Sequence, residues 1–550
     1  MNLRRAIAVT AIVVTLGLLF CVIGPQVVHG SGTIYILSNG SISPSDVNIT
    51  TSDFRTYTFT GDVNDTIVVQ RSNITLEGEG YTLTAVGIDK AIYVYLQSNV
   101  TIRNLRIESS ETAIVLEDST LCNVTSNTIA GNSWHGIYLD SSSGNTIFGN
   151  NVTDNSNRGI YLVYSSYNTI QDNEVRGNYR GIELNTFSNY NVVSGNEVSG
   201  SINDNIILNS YSDHNTVSNN SITWSVSSGI VGFTNMNNTI MYNIVRNLSD
   251  TGILLAHCQN CTVIGNEVTE VGFGIVLQYS NCSVLRHNVM YNSTSNFVLH
   301  FYRQSDFDND VDDSNTVDGK PIYYWVGREN MSIPSDAGLI VLYNCTNITV
   351  EKLGFTATNY HSVVIGYSMG ARVSECSIIN STYAIWLWNS SNCLVDSNYL
   401  QGFMGVQLEQ YCTNNTVYNN TMTRGGNWGA VGISMSSGNT FYHNNFTDNY
   451  YDALWGDPSL NNWDNGYPDG GNYWDRYVDR IINEADIYSG PNQDQPGSDG
   501  FWDAPYPVST ESLDHYPIVP EYSSGMIVLP LVLATLIAAI AFRRRKTRAS

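Results

Sequence analysis

Apolar residues recur at alternate positions in very short runs along this chain. Within residues 159–178 the apolar positions are Ile160, Leu162, Ile170 and Val175, and Asn, Ser, Asp and Gly fill the gaps. Alternation of this kind predicts strands with one buried face, whereas a helix would need a spacing of 3.6 residues. The intervening polar residues favour turns. Each such segment is therefore predicted to form three short strands and three turns.

Asparagine returns at nearly constant intervals through the same region. Successive members of the series are 22 to 24 residues apart: Asn150, Asn173, Asn196, Asn220, Asn243, Asn266 and Asn288. A fixed period in the twenties predicts a solenoid, and three strands per coil make it an all-β, three-sided parallel β-helix. We expect these asparagines to form a structural ladder at inward turns. They would bond from coil to coil and adopt left-handed backbone angles themselves.

The predicted domain boundaries follow from where the 22–24-residue repeat is regular and where it is interrupted. A basic start followed by an apolar run predicts a signal peptide, and an apolar run followed by basic residues predicts a transmembrane helix with a cytoplasmic end. The predicted divisions are a signal peptide (1–30), an N-terminal cap (31–72), coils (73–305), an acidic loop with the GKPIYYW segment (306–340), further coils (341–460), an aromatic and acidic subdomain (461–522), a transmembrane helix (523–542) and a basic tail (543–550). The body is thus expected outside the cell, on a single-pass anchor.

Charge narrows the range of partners. The formal net charge is −24, from 49 acidic and 25 basic residues. Such a surface repels nucleic acid and anionic lipid, and it suits hydrated polysaccharide or divalent cations. Asn-x-Ser/Thr sequons are dense, so an exported chain is expected to be a glycoprotein, although an asparagine-rich repeat also generates sequons by chance.

Several segments are similar to a known family. DTIVVQRSNITLEGEGYTLT at 65–84, GKPIYYW at 319–325 and NNWDNGYPDGGNYWDRY at 461–477 resemble NosD-like proteins of pectin-lyase-like fold, of the archaeal cell-surface type. The resemblance implies a right-handed parallel β-helix. The family name implies a role in copper supply to nitrous oxide reductase. The same fold is similar to carbohydrate-binding and sugar-hydrolase modules, and fold alone does not transfer a function.

A copper site is one candidate. Cys258 and Cys261 form a Cys-x-x-Cys beside His257, and Cys282 follows about one coil later. Soft thiolates at such spacing suit Cu(I). The alternative is that these thiols only pack, or form a disulfide in an oxidising space.

Calcium is the second candidate ligand. Two sets of aspartates supply hard oxygen donors at close spacing. The first lies where the repeat is interrupted and contains Asp306, Asp308, Asp310, Asp312 and Asp313. The second lies in the aromatic subdomain and contains Asp486, Asp494, Asp499 and Asp503. Oxygen donors at this density suit Ca²⁺, although the EF-hand pattern is absent. The alternative is that the carboxylates are solvated or only order their loops.

Sugar binding is the third candidate. Arg158 and Arg180 hold near-equivalent positions in successive coils, close to Tyr161 and Glu183. They could line a sugar groove or simply pair on the surface. The aromatic subdomain is either a glycan platform or a packed cap, and the cap is favoured.

The function favoured by the sequence is binding or organisation of extracellular glycan or envelope components, without catalysis. No set of acids and bases falls in one column of neighbouring coils, as a hydrolase would need. The alternatives are a calcium-dependent polysaccharide lyase, hydrolase or epimerase, and a copper-binding accessory protein. No nucleic-acid partner is expected.

Overall fold

The computed structural model describes residues 32–87, 89–356, 359–426, 429–450, 455–456, 460–477, 486–509 and 511–520. Two compact units divide the chain, Met1–Gly319 and Lys320–Ser550. The predicted signal peptide, transmembrane helix and basic tail lie outside the described residues. Within the described ranges, no helix is long and apolar enough to cross a membrane.

The N-terminal unit consists of three sheets whose strands follow one another around each coil. The first sheet contains Thr33–Ile36, Ile42–Ser43, Thr66–Val69, Lys90–Tyr95, Thr112–Glu117, Ile137–Asp140, Arg158–Val163, Arg180–Asn185, Ile206–Asn209, Ile230–Phe233, Thr251–Ala256, Phe273–Gln278 and Ser295–His300. The second sheet contains Ile49–Thr50, Thr56–Phe59, Ile74–Glu77, Val100–Arg103, Asn123–Thr125, Thr146–Phe148, Thr169–Gln171, Val192–Ser194, Thr216–Ser218, Thr239–Met241, Thr262–Ile264, Val284–Arg286 and Asp310–Val311. The third contains Thr82–Thr84, Arg106–Glu108, Thr128–Ala130, Asn151–Thr153, Glu174–Arg176, Glu197–Ser199, Ser221–Thr223, Ile244–Arg246, Glu267–Thr269, Val289–Tyr291 and Thr316–Val317.

Parallel pairing places equivalent residues of successive coils directly next to each other. Ile137, Ile160 and Ile182 are in register on the first sheet, and all three are fully buried. Each buried aliphatic side chain contributes about 1.5–3 kcal/mol to folding, so the repeated column supplies the core. Parallel stacking begins earlier than predicted, since Thr33–Ile36 already pairs with Thr66–Val69. One short 3₁₀ helix is found in the described ranges, Gln304–Phe307, and it overlaps the start of the predicted acidic loop.

The recurrent Gly-Ile signal has a steric cause. A Cβ added to Gly159 would lie 2.8 Å from the Gly181 carbonyl oxygen and 2.7 Å from a methyl carbon of Val175. Real Cβ atoms do not approach other atoms so closely, so the next coil can stack here only on glycine.

The asparagine ladder is present, and it links successive coils. Asn150 donates its side-chain amide to Asn173 Oδ1 at 3.0 Å, and Asn173 donates to Asn196 at 2.9 Å. The amide of Asn173 also donates to the carbonyl of Ile147 in the preceding coil at 2.9 Å.

The predicted left-handed angles were assigned to the wrong residue. The ladder asparagines do not have positive φ; the residue before each one does, for example Gly149 at +62° and Asp172 at +53°. The left-handed residue turns the chain, and the asparagine after it points inward and satisfies backbone groups that the turn leaves open.

The C-terminal unit repeats the three-sheet arrangement, with two long strands that run through two sheets. Its strands are Lys320–Val326, Leu339–Tyr343, Thr349–Glu351, Gly354–Phe355, His361–Gly366, Arg372–Ser374, Ser377–Trp388, Leu394–Asp396, Tyr399–Glu409, Thr416–Tyr418, Thr421–Thr423, Val431–Ser434, Thr440–Tyr442, Asn445–Thr447, Trp455–Gly456 and Tyr473–Trp474. Two hairpins follow, Tyr488–Ser489 with Gln495–Pro496 and Tyr506–Pro507 with Leu513–Asp514.

The aromatic subdomain packs against the last coils of its unit. Trp474 stacks between Phe446 and Tyr506, with ring centroids 4.4 and 4.5 Å away, and Trp463 stacks on Phe441. These rings are almost entirely buried. This packing agrees with the favoured prediction of a cap, because buried rings offer no face to a glycan.

Candidate functional site

A polar and aromatic cluster interrupts the regular first sheet of the N-terminal unit. Tyr138, Tyr161 and Glu183 stand in register on successive strands, at positions that alternate with core residues. The Tyr138 and Tyr161 rings stack with centroids 5.4 Å apart and planes 15° from parallel. Since the same column continues as Ile207 and Val231, the cluster is confined to one stretch of this sheet.

Glu183 binds both of the arginines that the sequence placed near each other. Its Oε2 accepts from Arg158 Nε at 2.8 Å and from Arg180 Nη1 at 2.9 Å. The carboxylate is fully buried, while the two guanidinium side chains are a fifth to a quarter exposed. Charge-assisted hydrogen bonds from two guanidinium groups hold this buried carboxylate in one position. Surface pairing was the favoured prediction for these arginines; they do pair, and the carboxylate that they share is buried.

The guanidinium of Arg158 also covers an aromatic face. It lies 4.5 Å from the centroid of the Tyr161 ring, within the range of a cation–π contact. Among the described residues, Nε of Arg180 is buried without a hydrogen-bond partner. The cluster therefore retains one donor that its own residues do not satisfy.

His135 is buried beside the two tyrosines. Its ring centroid is 5.5 Å from that of Tyr138 and 5.1 Å from that of Tyr161, and its Nδ1 accepts from the Arg158 backbone N–H at 3.4 Å. Burial, followed by the Arg158 charge, lowers the pKa of His135 to about 3. The imidazole is therefore neutral at neutral pH, with its proton on Nε2.

The phenol groups form a row along the solenoid axis. Tyr138 donates to Asp140 on its own strand at 3.0 Å. The other two hydroxyls bond to the next strand: Tyr93 donates to Glu117 at 2.9 Å, and Tyr161 accepts from Asn185 at 3.2 Å. We call these three pairs the hydroxyl row. Burial is the largest of the effects that raise the pKa of Tyr138 and Tyr161, so both phenols stay protonated.

The structure separates Cys282 from the Cys258–Cys261 pair, and copper binding at these thiols stays a prediction. Cys258 and Cys261 are fully buried in one turn, and the hydrogen bond between them lowers the pKa of Cys261 and raises that of Cys258. Cys282 is exposed, and the pairing of Gln259 with Asn281 places it beside Asn260 rather than Cys261. In the described ranges, no three or more His, Cys, Asp or Glu side chains are arranged to hold a metal.

The aspartates of the first acidic segment bond to their own loop, pair with an arginine of the preceding coil, or are exposed. Asp306 accepts from the backbone N–H groups of Tyr302 and Arg303 at 2.8 and 2.9 Å. Asp310 and Asp312 both pair with Arg286. Asp308 and Asp313 are exposed. A calcium site at this segment stays a prediction.

The aspartates of the tail are arranged in a similar way. Asp486 accepts from the N–H groups of Asp499 and Gly500, Asp503 accepts from those of Ile487 and Tyr488, and Asp499 accepts from that of Gly490. These bonds tie the first hairpin to the following loop. Asp494 is exposed. Calcium binding here also stays a prediction.

Two family models match the chain. The model described as "Periplasmic copper-binding protein (NosD)" matches residues 45–225, and the model described as "Right handed beta helix region" matches residues 164–316 and 326–465. The chain belongs to the right-handed β-helix family and is NosD-like. No curated protein matches the chain.

Several solved structures match the chain at low identity and low TM-score. The periplasmic alginate epimerase AlgG is 12% identical with a TM-score of 0.36, over 52% of this chain and 83% of the epimerase. The Azotobacter vinelandii mannuronan C-5 epimerase AlgE6 A-module is 13% identical with a TM-score of 0.36, over 65% and 90%. The Dettilon tailspike protein is 12% identical with a TM-score of 0.32, over 64% and 68%.

Sequence reasoning identified Arg158, Arg180, Tyr161 and Glu183, but it did not identify the hydroxyl row. The row could have been found by aligning the Gly-Ile-x-Leu segments and comparing the residue at x and the residue after Leu. In the column at x, Tyr138 and Tyr161 depart from the aliphatic residues Ile207, Val231 and Leu254 of later coils.

Proposed function

We propose that this protein binds an extracellular polysaccharide or cell-envelope glycan along the hydroxyl row and does not cleave it. The observation that carries the proposal is the row itself. Phenol hydroxyls, carboxylates and an amide stand in two neighbouring outward columns of one sheet, over the five strands from Lys90–Tyr95 to Arg180–Asn185, with Val115 and Val163 as interruptions. A sugar polymer presents hydroxyl groups along its whole length, so donors and acceptors arranged along the solenoid axis suit a chain that lies parallel to it.

The charges of the cluster support binding without catalysis. Hydrolysis of a glycosidic bond needs two carboxyl groups, one of which donates a proton. Glu183 is fixed between two guanidinium groups, and Asp140 accepts from Tyr138. Neutral His135 has its Nδ1 engaged by the backbone. These groups therefore present fixed hydrogen-bonding positions to a ligand.

A double substitution tests this function. Tyr138→Phe with Tyr161→Phe removes two hydroxyls and keeps the rings, so polysaccharide affinity is expected to fall about tenfold. Tyr399→Phe is the matched control, because Tyr399 also bonds through its hydroxyl to a side chain two residues further on, in the C-terminal unit. Affinity electrophoresis against a polysaccharide panel gives the readout. An unchanged affinity of the double variant, or sugar released from the bound polymer, would falsify the proposal.

We further propose that the solenoid is presented at the cell surface by the helix predicted at 523–542. The support is the apolar run with its basic flank in the sequence. Fractionation of cells expressing the full chain is expected to place it in the membrane, and truncation after residue 522 is expected to release it. A full chain found in the soluble fraction contradicts this location.

A further inference from the structure

The third sheet of the N-terminal unit carries a groove that the hydroxyl row does not use. Its volume is about 440 Å³, and its walls come from coils that lie further along the chain than the row. The lining residues that matter here are Glu197, Trp224, Arg246, Glu267, Glu270 and Tyr291. The groove is therefore a separate surface, and its function does not depend on the one proposed above.

Trp224 occupies the left-handed turn position of its coil, where the neighbouring coils carry Gly200 and Asn247. It follows strand Ser221–Thr223 with φ at +55°, a left-handed angle that is unfavourable for bulky residues. Its indole is 67% exposed. The preceding coils hold Gly177 and Gly200 at the equivalent position, as the register of the third sheet shows.

Those glycines leave one side of the indole uncovered. A Cβ added to Gly200 would find only Gly177 backbone atoms within 4 Å. The preceding coil thus offers no side chain at this position. A large apolar ring with an open face beside a polar groove is typical of a ligand-stacking position.

Arg246 stands next to Trp224 across the sheet, since Thr223 pairs with Arg246. Within the described residues Arg246 makes no ion pair, so its guanidinium is available to a ligand. Glu267 accepts from the Tyr291 hydroxyl at 2.7 Å, which orients both groups at the far wall. The groove thus combines donors and acceptors with one aromatic platform.

The charge of the groove selects against acidic ligands. Three glutamates line it, and Glu197 is already paired with Arg176 at 2.7 Å. That leaves Glu267 and Glu270 against Arg246, so a uronate would meet an excess of negative charge. An uncharged ring avoids this repulsion and can still use every hydrogen-bonding group.

We propose that this groove is a second binding site, which takes an uncharged sugar ring of a glycan by stacking it on Trp224. Arg246 donates to its hydroxyl oxygens, and Glu267 and Glu270 accept from its hydroxyl groups. The site binds the sugar without changing it covalently.

Calorimetric titration of the full chain tests the site with four probes: cellohexaose and mannohexaose as uncharged oligosaccharides, hexagalacturonate as an acid and hexameric chitosan as an amine. The Tyr138→Phe, Tyr161→Phe background isolates the groove from the hydroxyl row. In that background at least one uncharged probe is expected to bind, and Trp224→Ala is expected to weaken it about tenfold. Phe148→Ala is the matched control, because Phe148 is 41% exposed on the second sheet.

Trp224→Gly separates binding from folding. Glycine accepts the left-handed angle freely, so the melting temperature is expected to be unchanged or higher while binding is lost. A clear fall in melting temperature would show that the indole is a folding contact and would overturn the proposal. It is also overturned if neither uncharged probe binds, if the acid or the amine binds more tightly, or if Trp224→Ala leaves the affinity unchanged.

Discussion

Arg158 Nε donates to Glu183 Oε2 at 2.8 Å across two neighbouring coils, and the carboxylate that accepts is fully buried. Arg180 donates to the same oxygen. The two arginines, which lie 22 residues apart in the sequence, therefore form one charge network with the buried carboxylate. Removing one partner of such a network costs more than the network contributes, because the remaining charges lose their compensation.

Glu183→Ala is expected to destabilise the N-terminal unit by about 3 kcal/mol, since two guanidinium groups would lose their shared acceptor. Urea unfolding measures the change. Glu108→Ala is the control, because the Arg106–Glu108 pair is largely exposed and such pairs contribute about 0–1 kcal/mol. Equal losses in both variants would contradict a special role for the buried carboxylate.

Asn196→Ala is expected to cost roughly 2–4 kcal/mol. Asn196 accepts from Asn173 and donates to Asn220, so its loss leaves buried groups unsatisfied on both sides. The same urea experiment applies, with Asn123→Ala as the control because Asn123 is half-buried on a strand outside the ladder. A loss below about 0.5 kcal/mol at Asn196 would show that the ladder does not stabilise the stack.

Acid is expected to weaken the N-terminal unit through His135. The unfolded histidine takes up a proton below pH 6.5, but the folded one resists it until about pH 3. Stability from this group is therefore complete above pH 6.5 and falls by roughly 2–4 kcal/mol towards pH 3. Urea midpoints at pH 7, 5 and 4 measure the slope. His135→Phe is expected to flatten it, whereas the exposed His287→Phe is not, and equal slopes in wild type and His135→Phe would refute the assignment.

The C-terminal unit is expected to show the opposite slope through Asp514. This carboxyl is fully buried, and burial raises its pKa to about 7 despite hydrogen bonds from Trp474 and Asn472. The unfolded group ionises near pH 4 while the folded one stays protonated, so stability falls as pH rises from about 4 to 7. Thermal unfolding at pH 5 and pH 8 measures this loss. Asp514→Asn is expected to reduce the difference and Asp503→Asn to leave it, and a difference that survives Asp514→Asn would exclude this group as the cause.

Much of the fold could be predicted from the sequence, because its signals are local. Alternation at Ile160 and Leu162 specifies a strand face, and the 22–24-residue return of Asn150 and Asn173 specifies a stacked coil. The backbone conformation of the turns was harder to predict from the sequence. Asparagine tolerates left-handed angles, but Gly149 and Asp172 adopt them instead, since the ladder needs the asparagine side chain to point inward.

The candidate sites could not be predicted in the same way, because they consist of contacts between coils. Which residues face each other in successive coils changes with the length of each turn. Cys261 and Cys282 are 21 residues apart, so Cys282 falls beside Asn260 and outside the turn interior. Sequence reasoning noted Tyr161 but not its bonding to Asn185, and it did not single out Trp224. In both cases the relevant neighbour is a full coil away along the chain.

By itself, the sequence determined that the chain forms stacked β-coils with an asparagine ladder, because alternation and period are properties of neighbouring residues and their repeats. Only the tertiary structure decided which side chains meet on the outer faces. Glu183 pairs with both arginines, and phenols line the first sheet. Trp224 is exposed, with Gly200 at the equivalent position of the preceding coil. The physical reason is that a strand period of two and a coil period near 23 specify inward and outward positions. The register between coils depends on the length of each turn, and it specifies which outward side chains contact each other.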